Sequence, residues 1–187
     1  MAGRFRIIKQ RTVLKSRVFT VREETWRAPN GSTFDRHTIQ HPGAVAIVPF
    51  DSDGRVLMIR QFRPAANTWL LEIPAGTLER REKPLACAKR ELIEETGFRA
   101  RKWQRMGAIY TAPGFCSERI HLFRAWDLKA AFAEKDEDEH IELAAMTLPE
   151  IHRAIRSGRI CDGKTLSAMM LLHLMNLESG GSLESRV

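Results

Sequence analysis

Between Gly76 and Phe98 the chain reads GTLERREKPLACAKRELIEETGF. Four of its glutamates, Glu82, Glu91, Glu94 and Glu95, stand with Arg90 at set offsets from two glycines, Gly76 and Gly97. On a helix turning by about 100° per residue, Glu91, Glu94 and Glu95 fall within one arc of roughly 100°. Leu85, Ala88, Leu92 and Ile93 lie mostly on the opposite side, so one face can pack while the other presents acid. Three close carboxylates repel one another unless a cation neutralises them. Hard divalent cations take oxygen ligands, and Mg²⁺ typically uses a few carboxylates, retained waters and substrate phosphates. A solvated acidic helix face would account for the charges alone. On the charges alone the two readings stand level.

These residues need a scaffold, and the flanking sequence supplies one. Pro84 suits a first helical turn, where a missing N–H costs nothing. Gly97 suits the left-handed position just past a helix end, so a helix is expected from about Pro84 to Thr96. Residues 5–40 contain short β-like runs, including VFTVREETW and STFDRHTIQ, joined at Pro29-Asn30-Gly31, a hairpin signal. HPGAVAIVPF reads as a buried strand, Asp51-Ser52-Asp53-Gly54 as a turn, RVLMIRQFR as a second strand, and WLLEIPAG leads into the acidic segment. Further strands are expected at MGAIYT, IHLFRAW and IELAAMTL, with helices near 148–157 and 162–178. SGGSLESRV at the end reads as a flexible tail, residues 179–187.

Composition narrows the function classes. The chain has 187 residues, 43% hydrophobic and 28% charged, enough for one substantial core and a small accessory element. Three cysteines (Cys87, Cys116, Cys161) without CxxC spacing argue against a disulfide framework or a zinc site. None of the six histidines makes an HxH or HExxH spacing. No run reaches the length of a membrane span, and MAGRFRIIKQ lacks the apolar stretch of a signal peptide. A cytoplasmic location is expected. Net charge is +7, and residues 1–18 hold Arg4, Arg6, Lys9, Arg11, Lys15 and Arg17 with no acid. Basic residues on the solvent side of strands explain that pattern, and without a nucleic-acid motif no nucleic-acid partner is expected.

The Gly76–Phe98 segment fills every constrained position of the Nudix box, so the chain resembles the Nudix hydrolases, which split a nucleoside diphosphate linked to another group. The resemblance implies an α/β fold, an α/β/α sandwich with a mixed sheet over 43–178, preceded by a small N-terminal antiparallel sheet over 1–42. That sheet is expected to join a homodimer in which each site borrows residues from the partner. By the same resemblance Glu91 and Glu95 are metal ligands, Glu94 is a supporting carboxylate, and the Ala75 carbonyl is a further ligand. Glu82 and Arg90 form a pair that shapes the loop. Two or three Mg²⁺ ions, or Mn²⁺, are implied.

Outside the box, Pro113 lies sixteen residues after Gly97 in YTAPGFCSERIHLF. This wording, with QFRPAANTWLLEIPAG and RHTIQHPGAVAIVPF, resembles the ADP-ribose pyrophosphatases. His37 departs from that group, standing where an acidic residue is frequent. The implied reaction is hydrolysis of ADP-ribose to AMP and ribose 5-phosphate. The alternatives are another nucleoside-diphosphate sugar, such as GDP-mannose or UDP-glucose, and a non-catalytic nucleotide sensor of the same fold. EKDEDEHIE, taken blind, reads as a solvated loop. The resemblance instead makes Glu137 a general base and Glu139 a metal ligand or base, with the two roles interchangeable. Arg36 and Arg63 would hold phosphate or ribose oxygens. Phe34, Phe19 or Trp26 would stack on adenine, and Pro113 and Gly114 would shape the pocket for the terminal ribose, with Ser117 and Glu118 beside them.

Overall fold

The computed structural model describes residues 3–132 and 141–178, which fall into two compact units. The first comprises the described residues up to Gly43 together with Tyr110–Arg119. Strands β1 (Arg6–Lys15), β2 (Thr20–Arg27) and β3 (Thr33–Gln40) form an antiparallel sheet in that order. The Asn-Gly signal is a real hairpin. Trp26 pairs with Phe34, the Asn30 side-chain oxygen accepts from the Ser32 N–H, and Gly31 takes a φ of 87°. Every residue of β1 is exposed. The segment after Tyr110 adds to β3, where the Ile39 N–H donates to the Phe115 carbonyl at 2.7 Å and the Ser117 N–H to that of Ile39 at 2.9 Å.

The second unit holds β4 (Ala44–Pro49), β5 (Val56–Arg63), β6 (Thr68–Glu72), β7 (Ala75–Thr77) and α1 (Pro84–Thr96). Most of β8 (Phe98–Tyr110) and β9 (Arg119–Ala130) follow, then β10 (Ile141–Met146), α2 (Leu148–Arg156) and α3 (Gly163–Glu178). One sheet runs β7-β4-β9-β8 and is mixed, since β4 is parallel to β9 and antiparallel to β7. The other is antiparallel, β10-β5-β6. All six residues of β4 are buried, as its unbroken apolar run requires. Alternation divides them between two cores. Ala44, Ala46 and Val48 join Ile151 and Ala154 of α2 and Ala168, Met169 and Leu172 of α3. Val45 and Ile47 join Cys87, Ala88 and Leu92 of α1. A sheet with helices on both faces follows, the α/β/α arrangement.

Two elements differ from the sequence reading. β8 begins at Phe98, well before the MGAIYT run, immediately after the left-handed turn at Gly97. It is the outermost strand of its sheet, so Arg99, Arg101 and Lys102 stay in solvent and mask its pattern. WLLEIPAG divides into β6 and β7 around Pro74, which has no N–H for a ladder but whose carbonyl accepts from Ile47 at 2.8 Å. Helix α1 has the predicted bounds. Pro84 is in its first turn, and the Gly97 N–H closes its end on the Ile93 carbonyl at 2.8 Å.

Candidate active site

Helix α1 carries the acids, and β7 carries the backbone they meet. Glu95 is 2% exposed, and its Oε2 accepts from the Ala75 N–H at 2.8 Å. Glu91 lies against Gly76 so closely that a Cβ added there would sit 1.8 Å from its carboxyl carbon and 1.9 and 2.2 Å from its oxygens. Glycine serves here for close approach rather than for an unusual φ. Ala75, Glu91 and Glu95 therefore share one wall.

Arg90 organises the neighbouring charges. Its Nε and Nη2 donate to the two oxygens of Glu82 at 3.1 and 3.0 Å, a two-pronged bond, and Nη2 also reaches the Thr77 carbonyl at 3.3 Å. Nη1 donates to Glu91 at 2.8 Å and Glu94 at 2.9 Å. Glu82 in turn accepts the Glu79 N–H at 3.0 Å, fixing the loop before the helix. The hydrogen bond from Arg90, outweighing burial, lowers the Glu82 carboxyl to about 2. Arg90 itself is held protonated, first by Glu82 and then by Glu91. The guanidinium thus restrains the mutual repulsion of three carboxylates.

Among the described residues, no group of three or more His, Cys, Asp or Glu side chains is gathered as a metal cage. Glu137 and Glu139 lie outside the described residues. The wall does offer suitable donors. Glu91 is pressed against Gly76 and Glu95 is anchored beside Ala75, giving oxygen groups of the kind a hard divalent cation takes.

Arg63, at the end of β5, is bonded to Glu72 of β6 through Nε at 2.8 Å and Nη2 at 2.7 Å. Glu72 has no exposed surface and also receives Lys164, which bonds Asp162 at 2.9 Å. Burial alone would raise Glu72, but the bonds from Arg63 and the charge of Lys164 hold it below its ordinary value. The Glu72 bond raises Arg63 against its own burial, and the charges of Glu95 and Asp162 add to the rise. Sequence reasoning singled out neither Glu72 nor Lys164. The available signal was a lone carboxylate in the apolar run TWLLEI, since a buried charge needs a partner.

The remaining candidates belong to the first unit. The Arg36 guanidinium lies over the Phe34 ring, 4.7 Å from its centroid, and donates to the Asp35 carbonyl at 2.8 Å. Phe5 meets Phe34 edge-on at 6.3 Å. Phe19 is exposed, and the Trp26 indole donates to the buried Glu24 at 3.1 Å. Pro113 and Gly114 are exposed in the turn closed by the Cys116 N–H on the Ala112 carbonyl at 2.8 Å. Ser117 accepts the His41 N–H at 2.9 Å, and Glu118 accepts the Thr111 hydroxyl at 2.8 Å.

Residues 40–167 match the NUDIX domain. The chain is 36% identical over 174 residues to the ADP-ribose pyrophosphatase of Bacillus subtilis (strain 168), covering 89% of this chain and 94% of that protein. It is 38% identical over 169 residues to the methanol dehydrogenase activator of Bacillus methanolicus, with 89% and 91% covered. It is also 38% identical over 143 residues to the GDP-mannose pyrophosphatase of Cronobacter sakazakii (strain ATCC BAA-894), with 71% and 72% covered. A crystal structure of an ADP compounds hydrolase shares the fold, with a TM-score of 0.85 and 24% identity over 97% of this chain and 99% of that one. On the domain match and the near full-length similarity to the Bacillus subtilis relative, the chain belongs to the NUDIX family.

Proposed function

We propose that this protein is a divalent-metal-dependent pyrophosphohydrolase that cleaves ADP-ribose to AMP and ribose 5-phosphate. The observation that carries the reading is the wall of Glu91 and Glu95 against Ala75–Gly76, ordered by Arg90 and Glu82. The substrate follows the name of the Bacillus subtilis relative. Glu91, Glu95, Glu139 and the Ala75 carbonyl would hold two or three Mg²⁺ ions, with Glu94 in support. A metal held there would supply a lowered pKa for a bound water and would offset charge developing on the phosphoryl oxygens.

The protein's own groups supply the remainder. Arg90 keeps Glu82, Glu91 and Glu94 from splaying apart. Glu137 or Glu139 takes the proton of the attacking water, a contribution of about 10²–10⁴-fold. Arg63 and Arg36 hold phosphate or ribose oxygens, for which a planar guanidinium is well shaped. Phe34 stacks on adenine, and Pro113 and Gly114 shape the site for the terminal ribose. The chain acts as a homodimer assembled through its N-terminal sheet, residues 1–42, and works in the cytoplasm. Support for the dimer is the apolar surface of β1, where Ile7, Ile8, Val13 and Leu14 are each more than 40% exposed. A three-stranded sheet of this kind gains stability by covering such a face.

The name of the Cronobacter sakazakii relative favours a second reading, hydrolysis of GDP-mannose with the same metal chemistry. The deciding experiment compares kcat/KM with Mg²⁺ for ADP-ribose, GDP-mannose, UDP-glucose and a 5′-triphosphorylated RNA. Preference for ADP-ribose with AMP as product is expected. Preference for another nucleotide sugar overturns the substrate, and binding without turnover of any of them overturns the enzyme. Glu95→Gln is expected to abolish turnover while the fold persists, and undiminished activity in that variant removes the proposed site.

A further inference from the structure

We propose that Lys164, acting through the buried carboxylate of Glu72, positions Arg63 for the substrate's diphosphate, so that the start of α3 is part of the substrate-binding apparatus. This rests on the reading of Arg63 as a substrate contact. Glu72 is fully buried in an otherwise apolar stretch of β6, where an ionised carboxylate persists only if it is paired. It has two cationic partners, Arg63 and Lys164. Both Nε and Nη2 of Arg63 are committed to Glu72, which fixes the plane of the guanidinium and leaves Nη1 outside those bonds. The Arg63 side chain is 36% exposed, whereas that of Lys164 is 12% exposed. Arg63 is thus the member of the network that opens to solvent, and Lys164 is the member held inside.

The charge count explains why a second cation is needed. Glu72 and Asp162 carry two negative charges, so Arg63 alone would leave the network net negative and repel a polyanionic diphosphate. With Lys164 the four groups sum to zero, and the fixed guanidinium meets the substrate without that repulsion. Asp162 orients Lys164 and also accepts the Thr165 N–H at 3.2 Å. Thr165 in turn accepts the Ile73 N–H at 3.0 Å, on the residue next to Glu72. The first turn of α3 is therefore tied to the chain that runs on through Pro74 to Ala75. Among the described residues, the second Asp162 oxygen and the Gln61 side-chain oxygen are buried with no hydrogen-bond partner. Gln61 precedes Arg63 by two residues on the same side of β5. Neither of these oxygens bonds Arg63 or Lys164, so the hold on both cations comes from Glu72 and the other Asp162 oxygen.

The test uses the full-length protein and two readouts. One is the Kd for ADP-ribose measured by calorimetry in EDTA, free of metal and of chemistry. The other is kcat and KM with Mg²⁺. Lys164→Met is expected to raise Kd and KM about tenfold, the order set by losing a charge-assisted bond, with kcat little changed. Lys164→Gln, which keeps a donor for Glu72 while removing the charge, is expected to do the same and serves if the Met variant does not fold. In an Arg63→Ala background neither substitution should weaken binding further. Equal losses in both backgrounds would show that Lys164 acts independently of Arg63 and overturn the proposal. Wild-type affinity in Lys164→Met beside weakened affinity in Arg63→Ala would overturn the role of Lys164 alone. Wild-type affinity in Arg63→Ala would remove the substrate contact, and the proposal with it.

Discussion

Gly76→Ala isolates the position of one carboxylate from the stability of the fold. The new Cβ would lie 1.8 Å from the Glu91 carboxyl carbon, whereas ordinary contact begins near 3.4 Å, so that group must retreat by at least about 1.6 Å. The atoms in the way are the far end of a flexible side chain, and Gly76 has no positive φ, so the backbone can stay in place. The fold should tolerate the change and the melting temperature should move by only a few degrees, about the shift from 1 kcal/mol. Activity should not tolerate it. A misplacement of about 1 Å at a reacting centre costs on the order of 10²-fold, so kcat/KM for ADP-ribose should fall by at least about 10²-fold. The assay pairs thermal unfolding with steady-state hydrolysis at saturating Mg²⁺. A variant within about threefold of wild-type kcat/KM would refute the claim that Glu91 works from this position. A collapse of stability alongside activity would refute the claim that only the side chain gives way.

Three further outcomes follow from other parts of the molecule. Folding lowers Glu82 from 4.5 to about 2, so its contribution is whole above about pH 4.5 and fades as pH falls towards 2. Glu82→Gln should therefore melt lower at pH 7 and show a flatter dependence of Tm on pH across that window, and parallel curves would count against the Arg90 pairing. Helix α2 opens with a capping box in which Thr147 accepts the Glu150 N–H and Glu150 accepts that of Thr147, so Thr147→Ala should cost about 1 kcal/mol in urea unfolding with KM unchanged. Burial, the main cause, raises the Cys87 thiol to about 12, whereas Cys161 is exposed. A thiol reagent at pH 8 should thus label Cys161 first and Cys87 only after unfolding, and early labelling of Cys87 by mass spectrometry would contradict its packing.

Much of the fold was legible because its signals were local. Pro84 and Gly97 bracket α1, Asn30-Gly31 marks a hairpin, and the unbroken apolar run of β4 announces a strand buried on both faces. The acid face of α1 was legible for the same reason, whereas the Arg90–Glu82 pair was implied by the resemblance and is present in the structure. Contacts formed only in three dimensions were harder to read. Glu72 and Lys164 are 92 residues apart, and no periodicity links a strand carboxylate to a lysine opening a distant helix. The first half of β8 was hidden for another reason. Phe98-Arg99-Ala100-Arg101 does alternate, but Lys102 interrupts the pattern before Trp103 on this outermost strand.

Strand β1 ends its sheet, so its outer side offers a row of backbone donors and acceptors to any extended chain. It also carries Arg6, Lys9, Arg11 and Lys15, of which Arg11 is paired with Glu23. A second such strand laid alongside would bring like charges within the screening distance of about 8 Å at physiological salt. The lysines and arginines therefore act as gatekeepers. They leave the apolar side chains available to a partner that keeps its basic residues apart, and they oppose open-ended stacking of strand on strand. High salt would weaken that restraint, so in the proposed dimer ionic strength would govern the point at which association stops.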